Sequence, residues 1–307
     1  MQFDPAATVK IPGQWLPILL FLAGVAMRYR APALVRHTGL LLTMSANVGL
    51  PLVILGALSR VPLTTHDALV PVLGPVIVVL ALSCSLLVGR FMGLPRPTLA
   101  AFANASGSIN ISFEYAFVGA AWGTQALAQL ALFDVGNAIV NFTLLYVVVA
   151  SVGGHRVSVW HGLRRALTFP ALWALAAALT INLQQAPVPD ALLAGAQQLG
   201  QWLLLPIVFA MGLLLEPRHL LSRVVLTAVA MRSVLGLVIA LAFTALFAID
   251  GLTQSVLLIA AAAPVGSSTI AIAHREHLDV GFAAATASLS ALLAVFWLPL
   301  VLTVVTP

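Results

Sequence analysis

Three ionisable side chains lie deep inside stretches of the sequence that are otherwise strongly apolar: Glu114, Asp134 and Arg232. Such side chains are costly in hydrocarbon, and where they occur they mark ion or substrate pathways. At 1.5 Å per helical residue both carboxylates lie on the order of 13 Å below the outer ends of their spans, so one cavity can contain both. The two acids suit Na⁺ binding or proton transfer, and the guanidinium suits a substrate carboxylate or one of these acids. The alternative is a buried ion pair that only fixes helix packing.

Amide and hydroxyl side chains accompany these charges. Asn137 follows Asp134 by three residues and Asn141 follows by four more, so an amide stripe lies on one face of that helix. Other polar residues cluster just before Glu114 and in a Pro- and Gly-centred stretch of the second half. The candidates for substrate binding are therefore Asn110, Ser112, Asn137, Asn141, Arg232, Pro264, Ser267, Ser268 and Thr269, and those for ion coupling are Glu114 and Asp134.

The remaining reactive side chains do not form an arrangement typical of an enzyme or a metal site. Ser267 and Ser268 have no base in a recognisable arrangement, which argues against a hydrolase. His274 and His277 are spaced like a helical metal pair, but they fall in a basic loop without a third ligand nearby. The single cysteine, Cys84, excludes an internal disulfide and a cysteine-based metal cluster. We therefore expect no enzymatic activity, no metal centre and no cofactor, with Na⁺ or H⁺ as the coupling ion.

The composition places these residues in a membrane protein. Of the 307 residues, 61% are hydrophobic and 7% are charged, and the mean hydropathy is +1.08, whereas a soluble globular domain carries about 25% charged residues. Apolar stretches of about 20 residues indicate membrane-spanning helices rather than the short alternating segments of a β-barrel. Pro, Gly and charged residues separate the apolar stretches from one another. They divide the sequence into ten predicted spans, at 13–28, 37–59, 68–91, 97–122, 125–151, 167–184, 190–215, 221–248, 252–275 and 280–305.

The basic residues are distributed unequally between the two ends of these spans. If the N-terminus is outside, the outer loops contain only Lys10 and Arg60. The inner loops then contain Arg28, Arg30, Arg36, Arg90, Arg96, Arg156, Arg164, Arg165, Arg218, Arg223 and Arg275. Cytoplasmic loops carry an excess of Lys and Arg, so this asymmetry supports ten spans with both termini outside. It also accounts for the net charge of +5 and argues against nucleic-acid binding. The first apolar run lacks the features of a cleavable signal peptide.

Several short motifs of the first half of the sequence recur in the second half, each after nearly the same number of residues. The matched pairs are Trp15-Leu16-Pro17 with Thr168-Phe169-Pro170, the Leu-Pro motifs at 50–53 and 205–208, the polar centre around Asn110 with the one that begins at Pro264, and Phe142 with Phe296. Because several pairs agree on the offset, we predict two five-span halves, residues 1–152 and 153–307. An odd number of spans makes the halves run in opposite directions across the bilayer, which is the inverted-repeat arrangement of secondary transporters.

The corresponding spans 4 and 9 both contain residues that interrupt a helix. Span 4 carries a Ser-Gly-Ser sequence at 106–108, and span 9 carries Pro264 and Gly266. Irregular backbone survives at membrane depth only where it is buried in protein or lines a cavity. The matched interruptions therefore predict a midplane binding site, with free amides near Ser267 to bind a carboxylate. The alternative is that Ser and Gly only allow close helix packing.

At these positions the sequence resembles the auxin efflux carrier family, which includes bacterial permeases and the plant PIN-type auxin exporters. The resemblance covers most of the chain and includes the place of Arg232. The motifs that carry it are Asn110-Ile-Ser112-Phe113-Glu114, Trp122-Gly123, Asp134-Val-Gly136-Asn137, Ala263-Pro264-Val-Gly266-Ser267-Ser268 and Trp297-Leu298-Pro299-Leu300. Where the family has Pro, Gly and Asn this sequence has Phe117, Ser112 and Ser268. Glu114 lies outside the common motif.

The resemblance implies that broken helices 4 and 9 cross. It further implies a scaffold of helices 1, 2, 6 and 7 and a transport unit of helices 3–5 and 8–10. The implied activity is alternating-access transport of a small organic anion, and bacterial members are commonly assigned to dicarboxylates. We therefore expect an all-α, multi-pass protein of the bacterial inner membrane whose partners are the lipid bilayer, the anion and, in a homodimer, a second copy.

Two alternatives stay open at this point. The first is a cation-coupled carrier closer to bile-acid symporters or sodium/proton antiporters, which would depend strongly on Na⁺ or pH without an organic anion. The second is a membrane-embedded sensor or scaffold. The sensor is disfavoured because the longest inner loop, about 152–166, is too short to be a soluble effector domain.

Overall fold

The computed structural model describes residues 11–155, 157–217 and 220–304. These residues are almost entirely helical, and the one β-type pairing among them is an isolated bridge between Ile109 and Val265. Six of the described helices are long and apolar enough to cross a membrane. The chain is therefore an all-α, multi-pass membrane protein, as its composition predicts.

We number the helices in chain order. They are α1 Ile11–Arg30, α2 Pro32–Leu58, α3 Val70–Phe91, α4 Arg96–Gly107, α5 Ile111–Gly153, α6 Val159–Leu167, α7 Pro170–Leu183, α8 Asp190–Leu213, α9 Arg223–Leu246, α10 Gly251–Ala262, α11 Ser268–Arg275 and α12 Val280–Val304. The six long apolar helices are α2, α3, α5, α8, α9 and α12. The orientation of the spans stays a prediction, and three residues on which it rests, Lys10, Arg156 and Arg218, lie outside the described residues.

Most predicted spans coincide with helices, but spans 4, 5 and 9 differ. Span 4 is interrupted because α4 ends at Gly107 and α5 begins at Ile111. Span 9 is interrupted because α10 ends at Ala262 and α11 begins at Ser268. The predicted boundary between spans 4 and 5 is a kink inside α5, where Gly123 has φ 74° and ψ −157°. Glycine adopts such a backbone without the strain of a Cβ, so this kink depends on Gly123.

Helix α8 packs closely against α1 and α2 because glycines lie at the contacts. A Cβ on Gly24 of α1 would lie 2.2 Å from the carbonyl oxygen of Phe209 in α8. A Cβ on Gly56 of α2 would lie 2.4 Å from the carbonyl oxygen of Leu193. Small residues at such positions let membrane helices approach each other closely. Because α7 packs against α2, helices α1, α2, α7 and α8 form one packed group.

The breaks belong to a second group of helices. Here α3 and α5 meet at Gly136, whose Cβ would lie 1.8 Å from the carbonyl oxygen of Pro71. Helix α4 packs against α3, the last part of α5, α9 and α12, and its residues from Leu99 to Gly107 are all buried. The end of α4 therefore lies inside protein, as irregular backbone at membrane depth requires.

Three wide, π-helical turns interrupt α2, α5 and α9, at Ser45–Gly49, Asn141–Leu145 and Met231–Leu235. Such turns are rare and occur frequently at functional sites. Two of the candidate site residues, Asn141 and Arg232, lie in them. The sequence analysis did not predict these turns.

Candidate functional site

The two interrupted helices meet through their backbones. The amide of Asn110 donates to the carbonyl oxygen of Pro264 at 2.9 Å, and the amide of Gly266 donates to that of Ser108 at 3.1 Å. These hydrogen bonds form the isolated antiparallel bridge. Each break supplies partners that the other lacks, which satisfies backbone groups that water does not reach at this depth. The helices are thus interrupted where the Ser, Gly and Pro residues of the sequence predict.

Side chains hold the bridge on two sides. A Cβ on Gly266 would lie 2.1 Å from Ser108 Oγ, so any larger residue at this position would require Ser108 or the break to move. The hydroxyl oxygens of Ser108 and Ser268 are 3.1 Å apart. From α12, Ser290 Oγ accepts a 2.6 Å hydrogen bond from the amide of Val265. The break between α10 and α11 is therefore fixed by both α4 and α12.

Arg232 is fully buried next to the bridge. Its Nε donates to the carbonyl oxygen of Ala263 at 3.2 Å, and its Nη2 donates to that of Ala261. The cation thus lies at the C-terminal end of α10, where the helix dipole is negative. A Cβ on Gly236 would lie 2.9 Å from Nη2, so this glycine leaves room for the guanidinium. Of its three nitrogens, only Nη1 has no hydrogen-bond partner among the described residues.

Glu114 lies in the first turn of α5 and is fully buried. Neither carboxyl oxygen has a hydrogen-bond partner in the described part of the chain. Arg232 and Asp134 are both close enough to interact with it electrostatically, but no described side chain forms an ion pair with Glu114. Glu114 therefore interacts with Arg232 at a distance and makes no direct hydrogen-bonded ion pair within the described residues. A buried carboxyl group without partners is costly, and a bound cation or proton would supply what is missing.

The amide stripe of α5 forms a connected chain of side chains. The Asn137 side chain donates to the Asp134 carboxyl group. Asn141 Nδ2 in turn donates to the Oδ1 and the carbonyl oxygen of Asn137, at 2.5 and 2.9 Å. Asp134 and Asn137 are buried, whereas Asn141 lines a cleft that reaches the bridge. The helical spacing in the sequence therefore brings these three residues together as predicted.

The cleft is narrow, with about 40 Å³ open to molecules the size of water, which is room for a few of them. Asn104, Ser108 and Ser268 line it near the bridge, and Tyr146 and Arg275 line it further away. Asn104 is fully buried, and neither polar atom of its amide has a partner among the described residues. Buried polar atoms nearly always have partners, so this side chain indicates a site for a polar ligand.

The sequence analysis did not select Asn104. Its signal was its spacing, since it precedes Ser108 by one helical turn in a span already marked by polar residues. Ser106 and Thr269 are buried as well, and the hydroxyl oxygens of both lack partners within the described ranges. One of these residues belongs to α4 and the other to α11. Unpartnered polar atoms therefore lie on both sides of the bridge.

Tyr146 and Glu276 form a contact next to the cleft that the sequence analysis also missed. The Tyr146 hydroxyl donates to Glu276 Oε1 at 2.6 Å. Arg275 Nε lies 3.3 Å from the same oxygen, and the central carbon of its guanidinium lies 5.6 Å from the Tyr146 ring centroid. This cluster ties the last part of α5 to the end of α11. No local pattern links residues that lie 130 positions apart.

The other candidate residues lie at the ends of the helix halves. Asn110 Nδ2 is 4.0 Å from Met211 Sδ of α8. Ser112, in the first turn of α5, and Ser267, just before α11, are half-buried, and Ser268 is exposed. The bridge is therefore surrounded by Asn110, Ser112, Ser267, Ser268 and the carbonyl group of Pro264.

The amides at the start of α11 are less free than the sequence suggests. The amide of Thr269 donates to the carbonyl oxygen of Gly266 at 3.0 Å. The amide of Ile270 donates to the carbonyl oxygen of Ser267 at 3.2 Å. A tight turn therefore uses two donors that were expected to be available to a carboxylate. The amides of Ser267 and Ser268 are left without a backbone acceptor among the described residues.

The site combines a buried cation, amide and hydroxyl groups, and two buried carboxyl groups in one region of the fold. Within the described ranges no group of three or more His, Cys, Asp and Glu side chains could hold a metal ion. Such a set of residues can bind an anion beside a monovalent cation. No protein-family model matches the chain, and no curated protein matches it. The function is therefore inferred from the geometry of the site.

Proposed function

We propose that this chain is a secondary active transporter that moves a small organic anion, a carboxylate, across a membrane by alternating access. The observation that carries the proposal is the backbone bridge between two interrupted helices, beside buried polar side chains that lack partners among the described residues. In a membrane protein, interrupted helices of this kind line substrate pathways. A contact that served only packing would not leave Asn104, Ser106 and Thr269 buried without partners.

The charge and the donors at the bridge favour a carboxylate as the substrate. Arg232 keeps one nitrogen without a partner in the described part of the chain, and the amides of Ser267 and Ser268 lie at the positive end of α11. Guanidinium groups and amides at a helix N-terminus both bind carboxylates well. The narrowness of the cleft favours a small ion.

We assign the transport movement to two groups of helices. In this proposal the chain has ten spans in two inverted five-span repeats, residues 1–152 and 153–307, like the auxin efflux carrier family that its motifs resemble. Helices α1, α2, α7 and α8 are the scaffold, which their close glycine contacts support. Helices α3–α5 and α9–α12 are the transport unit, which carries the bridge. Movement of this unit would break the contact between Asn110 and Met211.

Glu114 and Asp134 are assigned to the coupling ion, Na⁺ or H⁺. Glu114 supports this assignment because its buried carboxyl group has no partner among the described residues, and a cation or a proton would remove the cost of burying it. The same observation favours a second candidate function, a cation-coupled symporter or sodium/proton antiporter of the bile-acid-symporter-like type. That candidate predicts strong dependence on Na⁺ or pH without an organic anion.

We further propose that the protein lies in a bacterial inner membrane, with both termini outside. Many large apolar side chains on the long helices are exposed, for example Leu80, Val238 and Leu300, and hydrocarbon is the solvent that suits them. The orientation follows from the unequal distribution of arginine in the sequence.

Thermal unfolding followed by a transport assay tests the proposal. The purified protein would be heated with a panel of mono- and dicarboxylates, each with and without Na⁺, and the acid that stabilises it would then be offered to proteoliposomes. We expect at least one acid to raise Tm and to be taken up. Asn104→Ala is expected to lose both effects, whereas Asn47→Ala, whose side chain is exposed, is expected to keep them.

The two candidate functions give different outcomes. If no acid enters the proteoliposomes faster than it enters protein-free liposomes, the chain is not an anion carrier. Na⁺ or proton flux through the same vesicles, in the absence of any acid, would then favour the cation-coupled candidate. Uptake of one acid that needs an imposed ion gradient would instead support the anion carrier together with the role of the two carboxyl groups.

A further inference from the structure

Helix α6, Val159–Leu167, connects α5 to α7 and has two chemically different sides. At about 100° per residue its apolar residues fall on one side and its basic residues on the other. Gly162 and Ala166 are buried at one edge of the apolar side. The apolar side chains that remain exposed are Val159, Trp160, Leu163 and Leu167. Protein therefore covers only part of the apolar side.

The buried edge of α6 is fixed tightly to its neighbours. A Cβ on Gly162 would lie 2.5 Å from the carbonyl oxygen of Phe142 in α5. The Phe142 ring packs edge-on against Phe169, with a centroid distance of 5.2 Å. At the end of α6, the Trp173 indole donates a 2.7 Å hydrogen bond to the carbonyl oxygen of Leu167. These contacts fix the rotation of α6, so its exposed apolar residues stay exposed.

The interface of the bilayer is the environment that suits the uncovered surface of α6. A helix with one apolar side, one basic side and a Trp lies flat at the boundary between headgroups and hydrocarbon. Trp160 is 66% exposed, Arg164 one turn later is exposed as well, and the sequence adds Arg165 in the same turn. The loop also belongs to the arginine-rich side of the membrane, where anionic lipids attract basic segments close to the surface.

We propose that α6 binds the anionic headgroups of phospholipids in the leaflet on the arginine-rich side. Arg164 contacts the lipid phosphate, the charge of the neighbouring Arg165 in the sequence adds to the attraction for an anionic surface, and Trp160 lies beside the upper part of the acyl chains. The proposal does not depend on the transport function, because it rests on the two sides of α6, on its place at the end of the spans and on the predicted arginine-rich side of the membrane.

Lipid binding at α6 has a consequence for the cleft. Gly162 packs against Phe142, which lies in the wide turn Asn141–Leu145. Asn141, Phe142 and Leu145 all line the cleft. A lipid that holds α6 at the interface therefore also holds one wall of the cleft, and it stabilises the narrow form of the cleft described above.

Nanodiscs of phosphatidylcholine, with and without phosphatidylglycerol, provide the test. Thermal unfolding would compare the full chain, Arg164→Gln/Arg165→Gln and the matched control Arg90→Gln, since Arg90 is exposed at the end of another helix on the same predicted side. We expect phosphatidylglycerol to raise the Tm of the full chain and of the control. In the double variant Arg164→Gln/Arg165→Gln, the rise in Tm should be on the order of twofold smaller or absent.

The outcomes that overturn the proposal are distinct. The first is a rise in Tm that is equal in the double variant and the full chain. The second is no rise in the Tm of the full chain, and the third is a rise in Tm that inorganic phosphate alone reproduces. A larger rise with polyglutamate than with phosphatidylglycerol would indicate an acidic protein as the partner instead. If the double variant does not fold in phosphatidylcholine alone, Arg164→Lys/Arg165→Lys is used, and it must keep the rise because it keeps the charge.

Thiol labelling tests the effect on the cleft. Ser268→Cys in a Cys84→Ala background places the one thiol in the cleft wall near the bridge. Phosphatidylglycerol should slow its modification by a thiol reagent when α6 is unchanged, and should have no effect when α6 carries the double substitution. Equal rates in the two lipid mixtures with an unchanged α6 would overturn this part of the proposal.

Discussion

The amide of Asn110 donates a 2.9 Å hydrogen bond to the carbonyl oxygen of Pro264, at the point where two helices are both interrupted. A proline has no amide hydrogen, but its carbonyl oxygen is free to accept, and Asn110 supplies the donor. The pairing keeps both breaks extended instead of helical, at a depth where water does not satisfy the backbone. Because the two residues come from different halves of the sequence, this contact also joins distant parts of the chain.

Replacing Gly266 by alanine is expected to destabilise this bridge. The added Cβ would lie 2.1 Å from Ser108 Oγ, so either that side chain moves or the break opens. Overpacking of a buried site lowers the free energy of unfolding by about 1–3 kcal/mol. Thermal unfolding of the purified protein would measure the loss as a lower Tm.

The control for this substitution is Gly195→Ala. A Cβ at Gly195 meets nothing within 4 Å, and alanine in a helix is about 0.5–1 kcal/mol more favourable than glycine. Gly195→Ala should therefore be neutral or stabilising. Ser108→Gly combined with Gly266→Ala should recover part of the loss, because it removes the colliding hydroxyl. Equal Tm values for the two single variants would contradict the close contact.

Replacing Arg232 by alanine is expected to destabilise the protein in the absence of substrate. The change leaves the carbonyl oxygens of Ala261 and Ala263 without their donor, and a buried polar group that loses its partner costs about 1–3 kcal/mol. Arg90→Ala is the control because Arg90 is exposed, and its Tm should change little. An unchanged Tm in Arg232→Ala would mean that the end of α10 does not need the guanidinium.

Local chemistry made the interruptions predictable from the sequence. Pro264 removes a backbone donor, Gly266 allows close approach, and the Ser-Gly-Ser sequence at 106–108 competes with helical hydrogen bonding. Each of these effects acts within one helical turn, so no knowledge of the fold is needed. The same holds for the stripe from Asp134 to Asn141, because the helical period alone brings its members together.

Contacts between distant segments were not predictable in this way. Glu276 entered the sequence analysis only as the end of a motif, yet it accepts a hydrogen bond from Tyr146 130 residues away. Arg232 was expected to bind a substrate or an acid, but two of its nitrogens bind carbonyl groups at the end of α10. The wide turn that begins at Asn141 packs closely against Gly162 of another helix. Such relationships follow from how helices meet, which no single stretch of sequence encodes.

Replacing Glu114 by glutamine is expected to leave the fold intact. Neither carboxyl oxygen has a partner among the described residues, so no hydrogen bond is lost, and a neutral amide of the same shape removes a charge that is costly to bury. Tm without Na⁺ should therefore be unchanged or higher. Asp67→Ala is the contrasting control, because Asp67 Oδ2 accepts hydrogen bonds of 2.6 and 2.9 Å from Thr64, and its Tm should fall.

The same Glu114→Gln variant tests ion coupling. In proteoliposomes, uptake by the unchanged protein should increase with an imposed Na⁺ or proton gradient, and uptake by the variant should no longer respond to it. Because the variant is expected to fold normally, uptake that no longer responds to the gradient cannot be explained by a loss of folded protein. Full dependence on the gradient in the variant would remove Glu114 from the coupling mechanism.

Replacing Tyr146 by phenylalanine is expected to open the cleft. The change removes the 2.6 Å hydrogen bond to Glu276 Oε1 but keeps the ring that Arg275 contacts. A hydrogen bond to a charged group contributes about 1.5–3 kcal/mol, so the tie between α5 and α11 becomes weaker. A thiol reagent should then modify Ser268→Cys faster in a Cys84→Ala background.

Two comparisons separate opening of the cleft from general loss of structure. Tyr29→Phe removes a hydroxyl from a side chain of α1 that is 65% exposed, and it should leave the labelling rate at position 268 unchanged. A cysteine in place of Ala57, which is fully buried in α2, should remain unreactive in Tyr146→Phe if only the cleft opens. Faster labelling at both positions would mean that the substitution loosens the whole fold. An unchanged rate at position 268 would mean that the hydrogen bond between Tyr146 and Glu276 does not control access to the bridge.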